Sequence, residues 1–272
     1  MCPRPVNGCQ KKPILLLLFV FFGVYIYACA GGHHKPFTAN LAPQRDISAY
    51  HKRLQEAVLS SRQLSMDKIG QVDYPGFQAP LWRITFKPEQ PAAYKVFINA
   101  AIHGNEPSGA ECAVRFVERL SKSPQQYRQT AFDIIPIVNP WGWVHDIRFN
   151  RNGTDINRDF ATFKSQEARI VKQTMQDAAY HLMLDLHEDP SADGFYLYQY
   201  ALGDKTAGEK IVAGIAQMGY PVEQNVSMVI LKTDNGIIDA PMPGIWYLRL
   251  TGQLAIANYY RLNNSKCVFT LE

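Results

Sequence analysis

Residues 95–106 read Lys95-Val96-Phe97-Ile98-Asn99-Ala100-Ala101-Ile102-His103-Gly104-Asn105-Glu106, and Pro107 follows them. The apolar run at Tyr94–Ala101 predicts a buried strand. The proline and the amphipathic pattern behind it predict a helix over Pro107–Leu120. His103 and Glu106 therefore occupy the turn between a strand and a helix, where side chains can point into a cleft at the end of a sheet.

A second histidine follows another predicted strand. His187 stands in Leu186-His187-Glu188-Asp189, directly after the predicted strand His181–Leu186. Two imidazoles and one carboxylate are the ligands of a catalytic zinc site that keeps its fourth position open for water. A lone His-x-x-Glu is a common pattern, and its simpler interpretation is a polar pair beside a strand. A ligand from a separate strand favours the metal site.

Two further motifs lie between these elements, the turn Asn139-Pro140-Trp141-Gly142 and the segment at residues 148–160 with Asp155-Ile156-Asn157-Arg158-Asp159. Together with His103, Glu106 and His187, and in this order, they resemble the zinc metallocarboxypeptidases of the carboxypeptidase A type. The resemblance covers about residues 95–272. It includes the last predicted strand, which is similar to the strand that carries the family's catalytic glutamate.

The resemblance implies a role for each of these residues. One Zn²⁺ ion would be bound by His103, Glu106 and His187. Glu272 would be the general base and Arg148 would stabilise the oxyanion. Asn157 and Arg158 would bind the terminal carboxylate of the substrate, and Asp155 would orient His103 through its second ring nitrogen.

Other interpretations of the same residues stay open. Asn157 and Arg158 can belong to a surface turn, Asp155 can cap a turn, and Arg151 can take the place of Arg148. Glu188 and Asp189 can serve as substitute bases or tune His187. The sequence departs from the family where Asp159 follows Arg158 in place of asparagine. Because Glu272 is the final residue, we also expect that the chain is truncated after the last strand.

The first 30 residues have the layout of an export signal. Arg4, Lys11 and Lys12 precede the uncharged apolar run Ile14–Cys29, which predicts a secretory signal cleaved near Ala28-Cys29-Ala30. The alternatives are a lipoprotein signal with Cys29 acylated and a retained membrane anchor. All three predict a secreted, periplasmic or outer-envelope protein that is not cytoplasmic. Membrane contact would come only through a lipid at Cys29 or an uncleaved signal.

Charge and cysteine content exclude some other classes. The formal charge is +4, and three of the cations lie in residues 1–30, which leaves about +1 for the rest. No basic cluster stands elsewhere, so a nucleic-acid surface is not expected. Outside the signal, Cys112 and Cys267 are predicted to be buried free thiols, with a disulfide between them as the alternative.

Residues 31–45 are predicted to form a poorly ordered leader and residues 46–272 one catalytic domain, a length that suits a single core. The alternation of strand and helix patterns predicts an α/β fold, with a mixed, mostly parallel sheet flanked by helices. Asp234–Gly244 is predicted to be a loop near the site. Strands are predicted at Leu81–Phe86, Tyr94–Ala101, Phe132–Val138, His181–Leu186, Phe195–Gln199 and Cys267–Leu271, and helices at Ser48–Leu64, Pro107–Leu120, Ser165–Tyr180, Gly208–Met218 and Ile245–Tyr260.

These observations predict a secreted or envelope zinc metallocarboxypeptidase. It would hydrolyse the amide bond next to a free C-terminal carboxylate in a peptide or muropeptide. The first alternative is a zinc-dependent deacylase of N-acyl amino acids, of the aspartoacylase/succinylglutamate desuccinylase type. The second is a zinc-binding envelope protein without catalytic activity.

Overall fold

The computed structural model describes residues 34–39, 41–200, 205–224, 227–228 and 231–272. The predicted signal and the acylation site at Cys29 lie outside the described residues. The α-helices of the described chain are α1 (Ile47–Leu59), α2 (Pro107–Lys122), α3 (Pro140–His145), α4 (Gln166–Met175), α5 (Thr206–Gln217), α6 (Met242–Leu250) and α7 (Ile256–Asn263). The strands are β1 (Leu64–Tyr74), β2 (Phe77–Phe86), β3 (Tyr94–Ala100), β4 (Thr130–Ile135), β5 (Leu182–Leu186), β6 (Leu197–Tyr200), β7 (Ser227–Met228), β8 (Leu231–Lys232), β9 (Ile237–Ala240) and β10 (Val268–Leu271).

A mixed sheet organises the described residues, in the strand order β1-β2-β4-β3-β5-β10-β6-β9. Its centre is parallel, because β3 pairs in parallel with β4 and β5, and β5 pairs in parallel with β10. The β1–β2, β2–β4 and β6–β10 pairs are antiparallel. The carboxyl ends of β3, β5 and β10 therefore meet at one edge of the sheet, where a parallel sheet places its ligand site.

Alternate residues of β3 face opposite sides of this sheet. Val96 and Ile98 join the core cluster beneath α1 and α2, whereas Phe97 joins the cluster beneath α4 and α7. This alternation follows from the twofold period of side chains along a strand, and it places apolar residues on both faces of β3. The predicted α/β fold with helices on both sides of a mixed sheet is confirmed.

The N-terminal helix is shorter than predicted. It ends at Leu59, and Ser60 supplies the C-cap, so that Leu64 begins strand β1 instead of completing a helix. Strand β1 forms a hairpin with β2, turning at Gly76 with a φ of 76°. Its burial follows no strict alternation, and for this reason the period-two signal of β1 is weak in the sequence.

Two predictions near the C-terminal end also need correction. The predicted helix Ile245–Tyr260 is two helices, α6 and α7, interrupted at Gly252, which has a φ of 74°. Such a positive φ suits glycine and ends a helix. The predicted loop Asp234–Gly244 contains the edge strand β9, which pairs in parallel with β6.

The described part of the predicted leader lies against the domain. The backbone N–H groups of His34 and Phe37 donate to the carbonyl oxygens of Gly153 and Arg151, each at 3.0 Å. The ring of Phe37 packs on Trp141 with their centroids 5.2 Å apart. Residues 34–39 therefore contact α3 and the loop between α3 and α4.

Both domain cysteines are free thiols, and only one is partly buried, because Cys112 lies on the exposed side of α2. The alternative of a disulfide with Cys267 is therefore not realised. Within the residues described, none of the helices combines the length and the apolar character that crossing a membrane requires.

Candidate active site

The three predicted metal ligands lie together at the carboxyl ends of β3 and β5. The carboxylate of Glu106 stands between the two imidazoles, with Oε1 2.7 Å from Nδ1 of His103 and Oε2 2.6 Å from Nδ1 of His187. One ligand atom from each residue can be chosen so that all lie within 4.8 Å of one another. All three side chains are buried.

Burial alone would raise the pKa of Glu106, but hydrogen bonds with His103 and His187 hold it well below its usual range. Glu106 is therefore ionised. Anionic carboxylate and imidazole nitrogens at this spacing are the donors that divalent transition metals prefer, so the residues fit a metal ion.

Glu106 is free to face the histidines because another residue caps its helix. It occupies the N-cap position of α2, yet its side chain makes no capping hydrogen bond. Instead, Oε2 of Glu188 accepts a hydrogen bond from the backbone N–H of Ser108 at 3.0 Å. Glu188 thus has a helix-capping contact, which favours a structural role over that of a substitute base.

The Asn-Pro-x-Gly turn supports the loop that contains His103. Oδ1 of Asn139 accepts from the backbone N–H of Gly142 at 2.9 Å, which starts α3. A Cβ atom on Gly104 would overlap the backbone carbonyl of Gly142, so the two backbones touch where only glycine fits. The backbone N–H of Gly104 also donates to the carbonyl oxygen of Arg148 at 3.4 Å.

Asp155 makes both of the contacts that the sequence left open, one with the turn that follows it and one with His103. Its Oδ1 accepts from the backbone N–H of Asn157 at 3.0 Å, which caps the 3₁₀ turn Ile156–Arg158, and lies 3.2 Å from Nε2 of His103. Its Oδ2 accepts from Nε and Nη2 of Arg148 at 3.2 and 3.1 Å. Burial would raise the pKa of Asp155, but the contact with His103 and the nearby arginines hold it far below normal.

Arg148 is the arginine that reaches the cluster. Its Nη1 lies 3.3 Å from Oε1 of Glu106, while Asp155 fixes the other side of its guanidinium. Arg151, the alternative in the sequence, instead lies over the ring of Trp141, 5.6 Å from its centroid. Of these two arginines, Arg148 is therefore the one whose guanidinium lies at the cluster.

The Asn157–Arg158 pair belongs to the short turn beside the histidines. Asn157 is buried, its Oδ1 accepts from the backbone N–H of Ile256 at 3.0 Å, and its Nδ2 lies 3.4 Å from Nε2 of His187. Nη1 of Arg158 donates to the carbonyl oxygen of Asn157 at 2.9 Å. The interpretation as a plain surface turn does not suit Asn157, because its amide is buried against the site.

Glu272 follows β10, which lies between β5 and β6. Its backbone pairs with Tyr196, with N–H···O distances of 3.0 and 3.3 Å. Burial raises the pKa of Glu272 to about 7, with His187 acting to lower the pKa and the negative charge of Glu106 acting to raise it. The carboxylate of Glu272 is therefore electrostatically coupled to two of the three predicted ligands.

Asp185 is a site residue that the sequence analysis missed. Its Oδ2 lies 3.1 Å from Nε2 of His187, and it is almost fully buried. The signal was present, because residues two apart in a strand point to the same face and Asp185 stands two residues before His187. Burial would lower the pKa of His187, but Asp185 and Glu106 raise it well above its usual value.

Comparison with known proteins agrees with this geometry. A model of the succinylglutamate desuccinylase/aspartoacylase catalytic domain matches residues 92–234, which is more than half of the chain. The chain belongs to this family. The residues that the desuccinylase/aspartoacylase model matches include the His/Glu/His cluster, Arg148 and the Asp155–Arg158 turn, and Glu272 lies beyond them. No curated protein matches the chain.

Solved structures show that this desuccinylase/aspartoacylase family member has the fold of the carboxypeptidases. A protein of Shewanella amazonensis SB2B that is proposed to be a metallopeptidase has a TM-score of 0.68 and 20% identity, over 84% of each chain. A metallo-carboxypeptidase from Burkholderia cenocepacia has a TM-score of 0.59 and 20% identity, over 82% of this chain and 58% of its own. Carboxypeptidase A from Helicoverpa armigera has a TM-score of 0.59 and 12% identity, over 97% of this chain and 72% of its own. The predicted resemblance is confirmed, and the chain has the enzyme fold of the zinc carboxypeptidase and deacylase superfamily.

Proposed function

We propose that this chain is a zinc hydrolase that cleaves the amide bond next to a free α-carboxylate, with C-terminal residues of peptides as its substrates. The observation that supports this most directly is the position of Glu272 directly after β10, the strand that pairs with β5, which precedes His187. A carboxylate whose proton affinity is raised by burial thus stands beside a His/Glu/His cluster.

Zinc is the metal we propose for His103, Glu106 and His187. Two imidazoles and one carboxylate are the protein ligands of hydrolytic zinc sites with an open position. A bound zinc ion would supply Lewis acidity, which lowers the pKa of a water molecule and polarises a carbonyl oxygen. Glu272 would accept the proton of that water and pass it to the leaving amine.

Two arginines would bind the negative charges of the substrate, one at the developing oxyanion and one at the terminal carboxylate. Arg148 is aimed at the cluster through Nη1, and Asp155 holds the rest of its guanidinium, so a developing oxyanion would meet a fixed positive charge. Arg158 stands one residue from Asn157, whose buried amide lies against His187. Its planar guanidinium suits a carboxylate through two parallel hydrogen bonds.

Deacylation of N-acyl amino acids is the second candidate, and the family match supports it. The two reactions share the reacting group, because an N-acyl amino acid also has an amide bond next to a free carboxylate. They differ in the acyl side, which is a peptide in one case and a small acid in the other. The residues named above suit both.

Mass spectrometry of the products separates these candidates. The purified protein is incubated with zinc, or with a chelator, and with a peptide, its C-terminally amidated twin, muropeptides and N-acyl amino acids. Loss of one C-terminal residue from the free peptide alone supports the peptidase, and release of the acyl group supports the deacylase. Zinc binding without any product would contradict both and leave a binding protein.

A pair of arginine variants tests the carboxylate contact. Arg158→Ala should raise KM for the free peptide by about tenfold or more, since a charge-assisted pair contributes about 1.5–3 kcal/mol. Arg151→Ala is the matched control, because Arg151 contacts Trp141 instead of the site, and it should leave KM unchanged. Equal effects of the two variants would contradict the role of Arg158.

We also propose that the protein acts outside the cytoplasm, with murein peptides among its substrates. This proposal is supported by the basic and apolar pattern of residues 1–30. Expression of the full chain in a bacterium, followed by fractionation and intact-mass measurement, tests it. A measured mass that fits a chain starting near residue 30 supports a cleaved signal. An added diacylglyceryl mass that disappears in the Cys29→Ser variant supports a lipoprotein. A full-length chain in the cytoplasmic fraction contradicts export.

A further inference from the structure

A row of polar side chains crosses the central strands directly beneath the histidine cluster. Asn99 on β3, Asp185 on β5 and Thr270 on β10 are paired in register. Nδ2 of Asn99 donates to Oδ1 of Asp185, and Oγ1 of Thr270 lies 3.4 Å from Oδ2 of the same carboxylate. The hydroxyl of Tyr200 on β6 lies 2.8 Å from Oγ1 of Thr270. The row thus spans four neighbouring strands.

The residues around this row are apolar. The next row of the sheet on the same face consists of Phe97, Met183 and Val268, all of them nearly inaccessible to solvent. Asp185 is itself only 2% exposed. A carboxylate buried in such surroundings is unfavourable unless hydrogen bonds compensate the loss of its hydration. An apolar residue of similar volume would serve the core at least as well.

Asn99 pairs with the carboxylate of Asp185 and leaves its own amide oxygen unpaired among the described residues. Its Nδ2 faces Asp185, while its own Oδ1 is buried and has no hydrogen-bond partner among the described side chains and backbone. Buried amide oxygens are nearly always paired. Asn99 is therefore oriented by Asp185, and Oδ2 of Asp185, which Oγ1 of Thr270 approaches at 3.4 Å, also lies 3.1 Å from Nε2 of His187.

We infer that Asp185 is a positioning residue for the metal site: its Oδ2 accepts from Nε2–H of His187 and so keeps Nδ1 as the metal-binding nitrogen. Asn99 and Thr270 hold the carboxylate in place. A second carboxylate, Asp155, has the same relationship to Nε2 of His103 at 3.2 Å. Unlike Asp155, which is shared with Arg148, Asp185 has its polar contacts with His187, Asn99 and Thr270. This inference rests on the metal site of the proposed function.

An amide at position 185 would reverse this arrangement. Asn99 donates to one side of the group and requires an oxygen there, which turns the new amide nitrogen toward Nε2 of His187. The amide N–H of the variant would then face Nε2–H of His187, unless the proton of His187 moved to Nδ1. A protonated Nδ1 could not bind the metal. Carboxylates that orient metal-bound histidines typically contribute about 10- to 100-fold to metal affinity.

The test measures Zn²⁺ affinity of the full chain by competition with a chromophoric chelator, without any substrate. Asp185→Asn should weaken zinc binding by about 10- to 100-fold, and Thr270→Val should weaken it less. The matched control is Asp133→Asn, because Asp133 is also a buried carboxylate of the central sheet, but it binds Thr85, Tyr180 and Lys95. Asp133→Asn should lose stability and keep the zinc affinity of the wild type.

The absorption spectrum of the Co²⁺-loaded protein gives a second readout. A change of the ligand field in Asp185→Asn, and not in Asp133→Asn, supports a role in orienting His187. Wild-type zinc affinity in Asp185→Asn, or the same loss in both variants, would overturn the inference while leaving the proposed hydrolase intact. A wild-type chain that binds no zinc would overturn the metal site itself, and this inference with it.

Discussion

Glu188 accepts a hydrogen bond at 3.0 Å from the backbone N–H of Ser108, in the first turn of the helix that begins after Glu106. The N-terminal N–H groups of a helix need acceptors, and the nearest carboxylate in the sequence would ordinarily supply one. Here the capping contact comes from a residue 80 positions away, next to His187. The carboxylate of Glu106 can then face the two histidines.

Replacement of Glu188 by alanine should therefore lower the free energy of unfolding by about 1 kcal/mol, the usual loss of an N-cap acceptor. Glu188→Gln keeps an oxygen for Ser108 and should lose less. Urea denaturation of the metal-free protein measures both. Equal stability of Glu188→Ala and the wild type would mean that the helix start needs no such cap.

Gly104→Ala should prevent the site from forming. A Cβ there would overlap the backbone of Gly142 and the carbonyl oxygen of Ile147, and neither can move without displacing α3 or the turn after it. We expect a destabilisation of more than about 3 kcal/mol, as for severe overpacking. The measurement is thermal unfolding together with zinc binding.

Gly214→Ala is the matched control, because a Cβ at Gly214 meets no atom within 4 Å and the residue lies inside helix α5. It should stabilise the protein by up to about 1 kcal/mol. A Gly104→Ala protein as stable as this control would show that the close approach of the two loops is dispensable.

Activity should rise with pH through the neutral range and then level off. A general base must be ionised, and burial raises the pKa of Glu272 to about 7 in the metal-free protein. A bound metal cation would lower that pKa, so the midpoint of kcat/KM should lie below 7. Glu272→Gln should remove this limb and reduce kcat by about 10²- to 10⁴-fold.

Zinc affinity is the control for Glu272→Gln, because Glu272 is not one of the three proposed ligands. The variant should bind zinc about as tightly as the wild type. A variant with normal zinc content and normal turnover would require another base.

The free energy of unfolding should decrease as pH rises, because Glu167 is buried in its protonated form. It is fully buried, and burial raises its pKa, although the Tyr74 hydroxyl at 2.5 Å and Nδ2 of Asn150 at 3.2 Å donate to its carboxylate. A raised carboxyl pKa means that the folded state favours the protonated form. Its contribution to stability is complete below the unfolded value of 4.5 and is lost as pH rises through the folded pKa.

Glu167→Gln stays neutral at every pH and should remove this dependence. Urea midpoints of the wild type and the variant are measured from pH 4 to pH 8. The midpoint of the variant should rise relative to that of the wild type as the pH increases. Parallel curves would show that Glu167 does not titrate in this range.

The sequence could predict the centre of the fold because β3, β5 and β10 are short, apolar and buried on both faces. The proposed ligands could be found because they stand at the carboxyl ends of two of these strands: His187 follows β5 directly, and His103 lies in the turn after β3. Strand β1 could not be predicted well, since it lies at the edge of the sheet and its burial pattern is irregular. The break between α6 and α7 depends on the positive φ of Gly252, and a glycine alone does not reveal its φ.

The support around the ligands was harder to predict than the ligands. In the sequence, Asp185 is a single polar residue within a predicted strand. Its contacts with Asn99 and Thr270 appear only when β3, β5 and β10 are placed in register. Glu188 stands next to a ligand, yet its partner is 80 residues away. Both contacts depend on tertiary pairing, which a local pattern does not contain.

The strand order has a consequence for how the molecule is made. β10 comes after β6 and β9 in the chain, but it pairs in the sheet between β5 and β6. Until β10 has been synthesised, β5 and β6 each have an unpaired edge, and such edges promote wrong pairing and aggregation. Such late, long-range pairing also slows folding. Glu272 follows the same strand, so a nascent chain would acquire its proposed catalytic base only in the step that closes the sheet.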